Sequence, residues 1–473
     1  MQSIPLLSNS EVNSIHNATL KILNEIGVAI NDPLGRQILV DSGARIKNNR
    51  VLFPPDLVEK CIALCPKTVT VRGRDGVSHT LGDGRLRFHN LGGARDIIDY
   101  GSGKKRTAVL QDVRDAALLL DSLENCHTIT PFFTPCEVPG EIMSLAMYRN
   151  TLPYTTKPVH GPGIQYPDEV KFVLEMASVM GIPSEILTLA VSPVSPLAIP
   201  DHEVRAIIEI ARAGIAFGPL PCPTAGTTAP LSIAGALAQQ NAEVLAPLVL
   251  AQIVNPGIPI FYCGRLAMME PRTGISVWGG VELGLASAGT VQMAKHYGLP
   301  VNVYGFSTNA HTLDLQSGFE RGLNAVIPAL AGADELSGIG EMEAGISGSF
   351  AQMVADNEFA ASILRVKRGI TIDEEALAVE VISTVINGTH NFLGQKHTMK
   401  YLKAGEVLLT KLAERNTWEQ WQAGGNNNFA ENAQSTADKI FRNHLVPPLE
   451  DNQEKELDFI LNAAEKELVN RAH

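Results

Sequence analysis

The sequence predicts an α/β protein built as a (β/α)8 TIM barrel, with an N-terminal cap and a C-terminal helical extension. Two observations predict it. First, one unit (a short apolar run, a small polar turn, an amphipathic stretch) occurs eight times between residues 86 and 340. The runs start near Leu86, His127, Lys157, Leu187, Ile215, Pro259, Pro300 and Asp334, and each interval has room for the crossover helix that parallel strands require. Second, a barrel takes roughly 250 residues, so a chain of 473 that is 45% hydrophobic keeps material for both ends.

Residues 1–80 are expected to form an α+β cap. Within it, residues 10–26 read as a helix with Ser10 as N-cap. Val12, Ile15, Ala18, Thr19, Ile22, Leu23 and Ile26 line one face until Gly27 stops it. Cys61 and Cys65 sit four apart in a helical stretch ended by Pro66. They read as packing, because no nearby histidine completes a metal clip.

The barrel is expected over residues 81–368. Strand and helix pair as 126–134 with 140–150, 157–163 with 168–180, 259–265 with 280–298, and 300–307 with 314–332. Residues 186–191 are a continuous apolar run, as expected of a strand covered on both faces. Asp201 then opens a helix carrying Val204, Ile207, Ile208 and Ala211 on one side, closed by Gly214. Residues 369–473 form the extension: 374–385 and 399–421 read as helical, 424–428 as a polar break, and 452–471 as a charged helix.

Composition removes several function classes. A formal charge of −12 with 38 scattered basic residues argues against a nucleic-acid surface. No apolar run reaches the ~18 residues of a membrane span, and the start MQSIPLLSNSEV lacks a basic segment followed by an apolar core. Six cysteines without framework spacing read as reduced thiols, so a cytoplasmic protein is expected. There is no GxGxxG or GxxxxGK[ST] loop for a nucleotide. Glu341 and Glu343 share one strand, whereas a glycosidase needs opposed carboxylates ~5–9.5 Å apart. Cys222 and Cys263, ending neighbouring strands, could with His160 hold zinc for methyl transfer to a thiol. A buried cysteine also serves simply as packing.

In a barrel the chemistry lies at the carboxyl ends of the strands. Those positions hold Phe88, His89 and Asn90, then Phe132 and Phe133, His160, Ser192, residues 221–226, Tyr262 to Arg265, Tyr304 to Ser307, and Gly340 with Glu341. Many of the 26 aromatic residues fall there. Ring faces around a dry pocket hold a quaternary ammonium group, at ~0.5–2 kcal/mol per ring. Alternate strand residues face helices, so any single ring serves equally well as core filling.

Three segments carry a family resemblance. One is PTAGTTAP at 223–230, continuing as LSIAGALAQQNAEVLAPLVLAQIVNPG to Gly257. Another is NFLGQKHTMKYL at 391–402, followed by Leu412-Ala-Glu-Arg415 and Trp418. The third is Met353-Val-Ala-Asp-Asn-Glu358. With further matches from about residue 10 to 460, the chain resembles the trimethylamine methyltransferase family, corrinoid-protein-dependent enzymes with a (β/α)8 barrel. Trimethylamine-specific members carry pyrrolysine, whose equivalent position is expected within residues 340–348, where this chain has only ordinary residues. The resemblance therefore implies the non-pyrrolysine branch, which demethylates quaternary amines such as glycine betaine, proline betaine, carnitine or γ-butyrobetaine. A quaternary ammonium leaves as a neutral tertiary amine and needs no proton.

The resemblance further implies transfer of the methyl group to the cob(I)alamin of a separate, cognate corrinoid protein, so that this chain holds no cobalamin permanently. Phe88, Phe133, Tyr262, Tyr304 and Phe350 are the candidate cage. Asn90, His160 and Arg265 are candidate donors to a substrate carboxylate, and Glu341 is the candidate catalytic residue, set to face the cationic nitrogen or to stay a satisfied strand-end carboxylate. No metal ligands are assigned, and a homo-oligomer is expected. Two other readings stay open: a barrel that binds a quaternary amine without turning it over, and the zinc-dependent thiol methyltransferase.

Overall fold

In the computed structural model, which describes residues 3–161, 163–164 and 166–469, the eight apolar runs lie parallel. Arg87–Asn90 meets the second run through His89 and Thr128, the second meets the third through Ile129 and Val159, and the third meets the fourth through Gly163 and Ala190. Thr188–Val191 pairs with Ala216–Pro219, and Phe217 with Ile260. Tyr262–Gly264 lies beside Val301–Tyr304, which lies beside Glu335–Ile339, which returns to Arg87–Asn90. The second and third runs are held by single bridges because Pro131 and Pro158 have no N–H to extend a ladder.

Each run is followed by a helix: Leu110–Ser122, Met143–Thr151, Pro167–Met180, Asp201–Arg212, Ile233–Val254, Val281–His296, Leu315–Ala331 and Phe350–Arg368. The parallel α/β class expected from the sequence is the one adopted. Ile233–Val254 is apolar on every side and buried along most of its length. Its outer side is covered by the N-terminal helix Asn9–Lys21, whose Thr19 hydroxyl donates to Ala238 O at 3.1 Å.

Sequence boundaries shift where capping decides them. Ser8, not Ser10, caps the first helix, in a reciprocal capping box with Glu11. That helix relaxes into a wider turn over Ile22–Ile26 before Gly27, whose φ of 74° suits only glycine. The helix expected over 374–385 breaks at Ala378, which sits at φ 53°. The one expected over 399–421 is two short helices, Lys396–Lys403 and Trp418–Ala423, because Gly405 (φ 72°) turns the chain out of the first. The final helix is Asp451–Leu468; residues 470 and 471 of the expected span lie outside the described residues. It packs on the body through Arg149, which pairs with Glu454 and Asp458 at 2.6 and 2.9 Å.

Candidate active site

A cavity of about 370 Å³ lies among residues that end or follow the parallel strands. His89 and Asn90, Thr130, His160, Ser192, Leu220, Arg265 and Tyr304 reach it from seven runs, and Ser337 from the eighth. Met143 and Met147, on the helix after the second run, line another side. This is the end of a parallel α/β sheet at which ligands bind.

The centre of its wall is a polar network. Glu335, the first residue of the eighth strand, is fully buried. Its Oε1 accepts from the Thr128 hydroxyl at 2.8 Å and faces His160 Nε2 at 3.5 Å. Its Oε2 accepts from Asn302 Nδ2 at 2.6 Å. Burial works to raise this carboxyl, but His89, His160 and the His160 and Asn302 hydrogen bonds outweigh it and hold Glu335 below the usual carboxylate range.

Asn302 Nδ2 also lies 2.7 Å from His89 Nε2. An amide N–H only donates, so His89 accepts at Nε2 and carries its proton on Nδ1. Burial pushes His89 down to about 4, which keeps that ring neutral near pH 7. Asn302 Oδ1 accepts from Arg265 Nη2, and Asn302 O accepts from Arg265 Nη1 at 2.9 Å. One asparagine thus bridges a buried anion and a buried cation.

Arg265 stacks over Tyr304 at 4.4 Å from the ring centroid, and Trp278 meets the same tyrosine edge-on at 5.3 Å. Arg265 makes no ion pair with a carboxylate among the described residues. Its Nε and the Nδ1 of His89 are buried donors without a partner. An unmet buried donor costs about 1–3 kcal/mol, and both belong to residues that line the cavity.

Of the residues singled out in the sequence, Asn90, His160, Arg265 and Tyr304 line the cavity and Phe88, Phe133, Tyr262, Phe350 and Glu341 do not. Period-two alternation explains the misses at Phe88 and Tyr262. Tyr262 points at the helix Ile233–Val254, where its hydroxyl donates to Asn241 Oδ1 at 2.8 Å, while the next residue, Cys263, faces the cavity. Phe88 packs against Phe306 and His127 (ring centroids 5.6 and 6.0 Å), and His89 takes the inward place. Phe133 and Phe350 meet edge to face at 6.0 Å in the core beneath the C-terminal helices.

Asn90 lines the cavity with its amide already used, accepting from Thr130 N at 2.9 Å and donating to Thr130 O at 2.6 Å. Glu341 turns away to accept from Ser307 Oγ at 3.1 Å, and burial pushes its carboxyl up to about 8. Cys222, Cys263 and His160 form no metal-holding group: no cluster of three or more His, Cys, Asp or Glu suited to a metal occurs among the described residues. Burial pushes the Cys263 thiol up to about 12.

Sequence reasoning passed over Glu335 and Asn302, and placed His89 at a strand end without giving it a role. A glutamate and an asparagine inside short apolar strands were the available signal, since a buried polar residue there must serve a network. The resemblance segments serve positioning. In the 223–230 turn, Thr228 Oγ1 accepts from Thr224 N at 2.8 Å. Gln239 then joins Thr228 O to Glu243, which accepts from Ser195 and from Leu197 N, tying together the loops after the fourth and fifth strands. In the 353–358 segment, Asp356 accepts from Gly340 N and from the buried Arg321, fixing the end of the eighth strand.

A pocket at the carboxyl ends of parallel strands, walled by a buried anion–amide–cation relay, is where an enzyme of the parallel α/β class holds its small-molecule ligand. The family model for trimethylamine methyltransferase (MTTB) matches residues 1–467, and the chain belongs to that family. It is a methyltransferase. It is 31% identical to the trimethylamine methyltransferase MttB of Methanosarcina barkeri (98% of this chain, 95% of that protein) and 31% identical to MttB of Desulfitobacterium hafniense (97% and 94%). It is 27% identical to a glycine betaine methyltransferase of Desulfitobacterium hafniense, covering 98% of both chains. In fold it is similar to the crystal structure of the monomethylamine methyltransferase MtmB of Methanosarcina barkeri (TM-score 0.52, 12% identity, 99% of this chain and 88% of that one).

Proposed function

We propose that this protein transfers a methyl group from a carboxylate-bearing quaternary amine, a betaine, to the corrinoid of a separate protein. The fold read here is a (β/α)8 barrel over residues 81–368, with residues 1–80 as cap and 369–473 as extension. The observation that carries the substrate class is the pair of partnerless donors, Arg265 Nε and His89 Nδ1, on the wall of a cavity of betaine scale. A tertiary amine without a carboxylate gives those donors nothing to bind. The absence of pyrrolysine and the likeness to a glycine betaine methyltransferase support the same reading.

In this reading Arg265 and His89 hold the carboxylate. Both donor atoms are shielded in the free protein, so a turn of the Arg265 and Tyr304 side chains accompanies binding. Arg265 already covers one face of Tyr304 and repels a second cation. The ammonium end therefore lies away from it, against Phe261, Met143 and Met147. The reduced corrinoid supplies the nucleophile that takes the methyl carbon, and the amine leaves neutral, so the chain need not deliver a proton. Its task is to orient one methyl group and exclude water. Free cysteines (Cys61, Cys126 and Cys263 among them) suit the reducing, cytoplasmic setting that a cobalt(I) acceptor needs.

The test is to mix the protein with cob(I)alamin, a competent corrinoid protein and a panel of betaines, and to follow the cobalt spectrum. Methylcobalamin from at least one betaine supports the reading. Betaine binding by calorimetry without methyl transfer would instead make the protein a binding module, and methylation of a thiol would restore the zinc reading.

A further inference from the structure

Which ring nitrogen of His89 carries the proton is decided by Asn302. That residue lies on Val301–Tyr304, is buried, and has Glu335 on one side of its amide and Arg265 on the other. Glu335 is held ionised and only accepts, while a guanidinium only donates. The amide therefore has one orientation, with Nδ2 on the Glu335 carboxylate at 2.6 Å and Oδ1 on Arg265. Turned over, it would set oxygen against oxygen on one side and N–H against N–H on the other.

The second Nδ2 hydrogen is left for His89 Nε2, 2.7 Å away on the first strand. The ring takes no proton at that nitrogen unless the amide leaves two charged partners at once. Its single proton stays on Nδ1, the atom without a partner in the chain. The charged and titratable groups around the ring are Glu335, 3.9 Å from Nε2, Arg265 on the sixth strand, and His160 on the third run, with ring centroids 5.3 Å apart. Burial keeps the ring neutral against the pull of Glu335, and the amide N–H facing Nε2 works in the same direction.

We infer that Asn302 is a positioning residue that makes His89 a hydrogen-bond donor toward the cavity, and so selects substrates that end in a charged acceptor. The identity of that acceptor, a carboxylate, rests on the betaine reading. A carboxylate meets Arg265 Nε–H and His89 Nδ1–H with charge-assisted bonds, whereas a hydroxyl offers them only a neutral oxygen.

The experiment is nitrogen NMR of ring-labelled histidine in the ligand-free full chain and in Asn302→Asp, with the His89 signals assigned by difference from His89→Phe. Calorimetry with glycine betaine and with choline, which has a similar cationic head and a hydroxyl, follows on both chains. In the parent, His89 should remain the Nδ1–H tautomer at every pH above about 5.5. Asn302→Asp sets a carboxylate oxygen against Nε2, which then holds a proton. While that ring is an imidazolium it still donates from Nδ1; once it titrates, Nδ1 is bare and repels a carboxylate. Glycine betaine should therefore bind the variant about tenfold or more weakly as pH rises through that titration, the loss of one charge-assisted bond. Choline, whose hydroxyl donates to the bare nitrogen, should not weaken. Should Asn302→Asp not fold, the parent's tautomer and its constancy with pH decide the matter. An Nε2–H at His89 in the parent, or a ring that titrates above about pH 5.5 there, overturns the proposal. So does a variant that keeps the parent's tautomer, or one in which betaine and choline weaken equally. If the proton sits and moves as stated but glycine betaine binds neither chain, the betaine reading falls and the hold of Asn302 on His89 is upheld.

Discussion

Replacing Arg265 by lysine separates the two ends of the proposed substrate. Lysine keeps the positive charge but loses the Nε–H, the planar fork that engages Asn302, and the stack on Tyr304. A charge-assisted hydrogen bond contributes about 1.5–3 kcal/mol, which is a ~10–150-fold change in dissociation constant at 1.4 kcal/mol per decade. Calorimetry with glycine betaine should show a loss in that range for Arg265→Lys. Tetramethylammonium, which has the cationic head and no carboxylate, should bind variant and parent within about twofold. Thermal melts establish whether the network around Asn302 survives. An equal loss for both ligands in a folded variant, or no loss for betaine, would refute the assignment of Arg265 to the carboxylate.

Other residues give further expectations. Glu335→Gln removes a carboxylate held below its unfolded value, whose stabilisation is complete above about pH 4.5 and fades as pH falls below it. The variant should therefore be less stable than the parent at pH 7, with a gap that narrows in acid, as read by denaturant unfolding. Glu341 behaves oppositely. Between about pH 4.5 and about 8 the folded chain keeps a proton that the unfolded chain has lost, so its burial costs increasing stability across that window, by at most ~1.4 kcal/mol per pH unit. Glu341→Gln should flatten that slope and leave betaine affinity unchanged, because the side chain lies outside the cavity lining. Arg321→Met strands the buried Asp356 that fixes Gly340 and should lower stability by about 3–5 kcal/mol in equilibrium unfolding.

The eight parallel runs were legible because strands covered on both faces leave apolar segments that composition alone separates. The starts inferred near Leu86, Leu187, Pro300 and Asp334 fall within a few residues of Arg87–Asn90, Thr188–Val191, Val301–Tyr304 and Glu335–Ile339. The pocket was less legible. Which of two neighbours faces inward depends on strand register, and a single-residue choice exchanges Phe88 for His89 and Tyr262 for Cys263. The relay was hidden for a related reason: Glu335 and Asn302 are 33 residues apart and meet only because their strands are adjacent. The breaks in the region after residue 369 rest on backbone conformations at Ala378 and Gly405 that helical periodicity does not report.

The roof of the cavity has a distant support. Met143 and Met147 hang from Met143–Thr151, a helix secured by the Ser144 hydroxyl on Gly163 O at 2.9 Å and, from behind, by Arg149 gripping the last helix of the chain. The headroom of the cavity is thus governed by a segment that does not line it. Trimming the carboxyl terminus should accordingly surface in kinetics as slack substrate capture, with KM climbing before the melting temperature gives any warning.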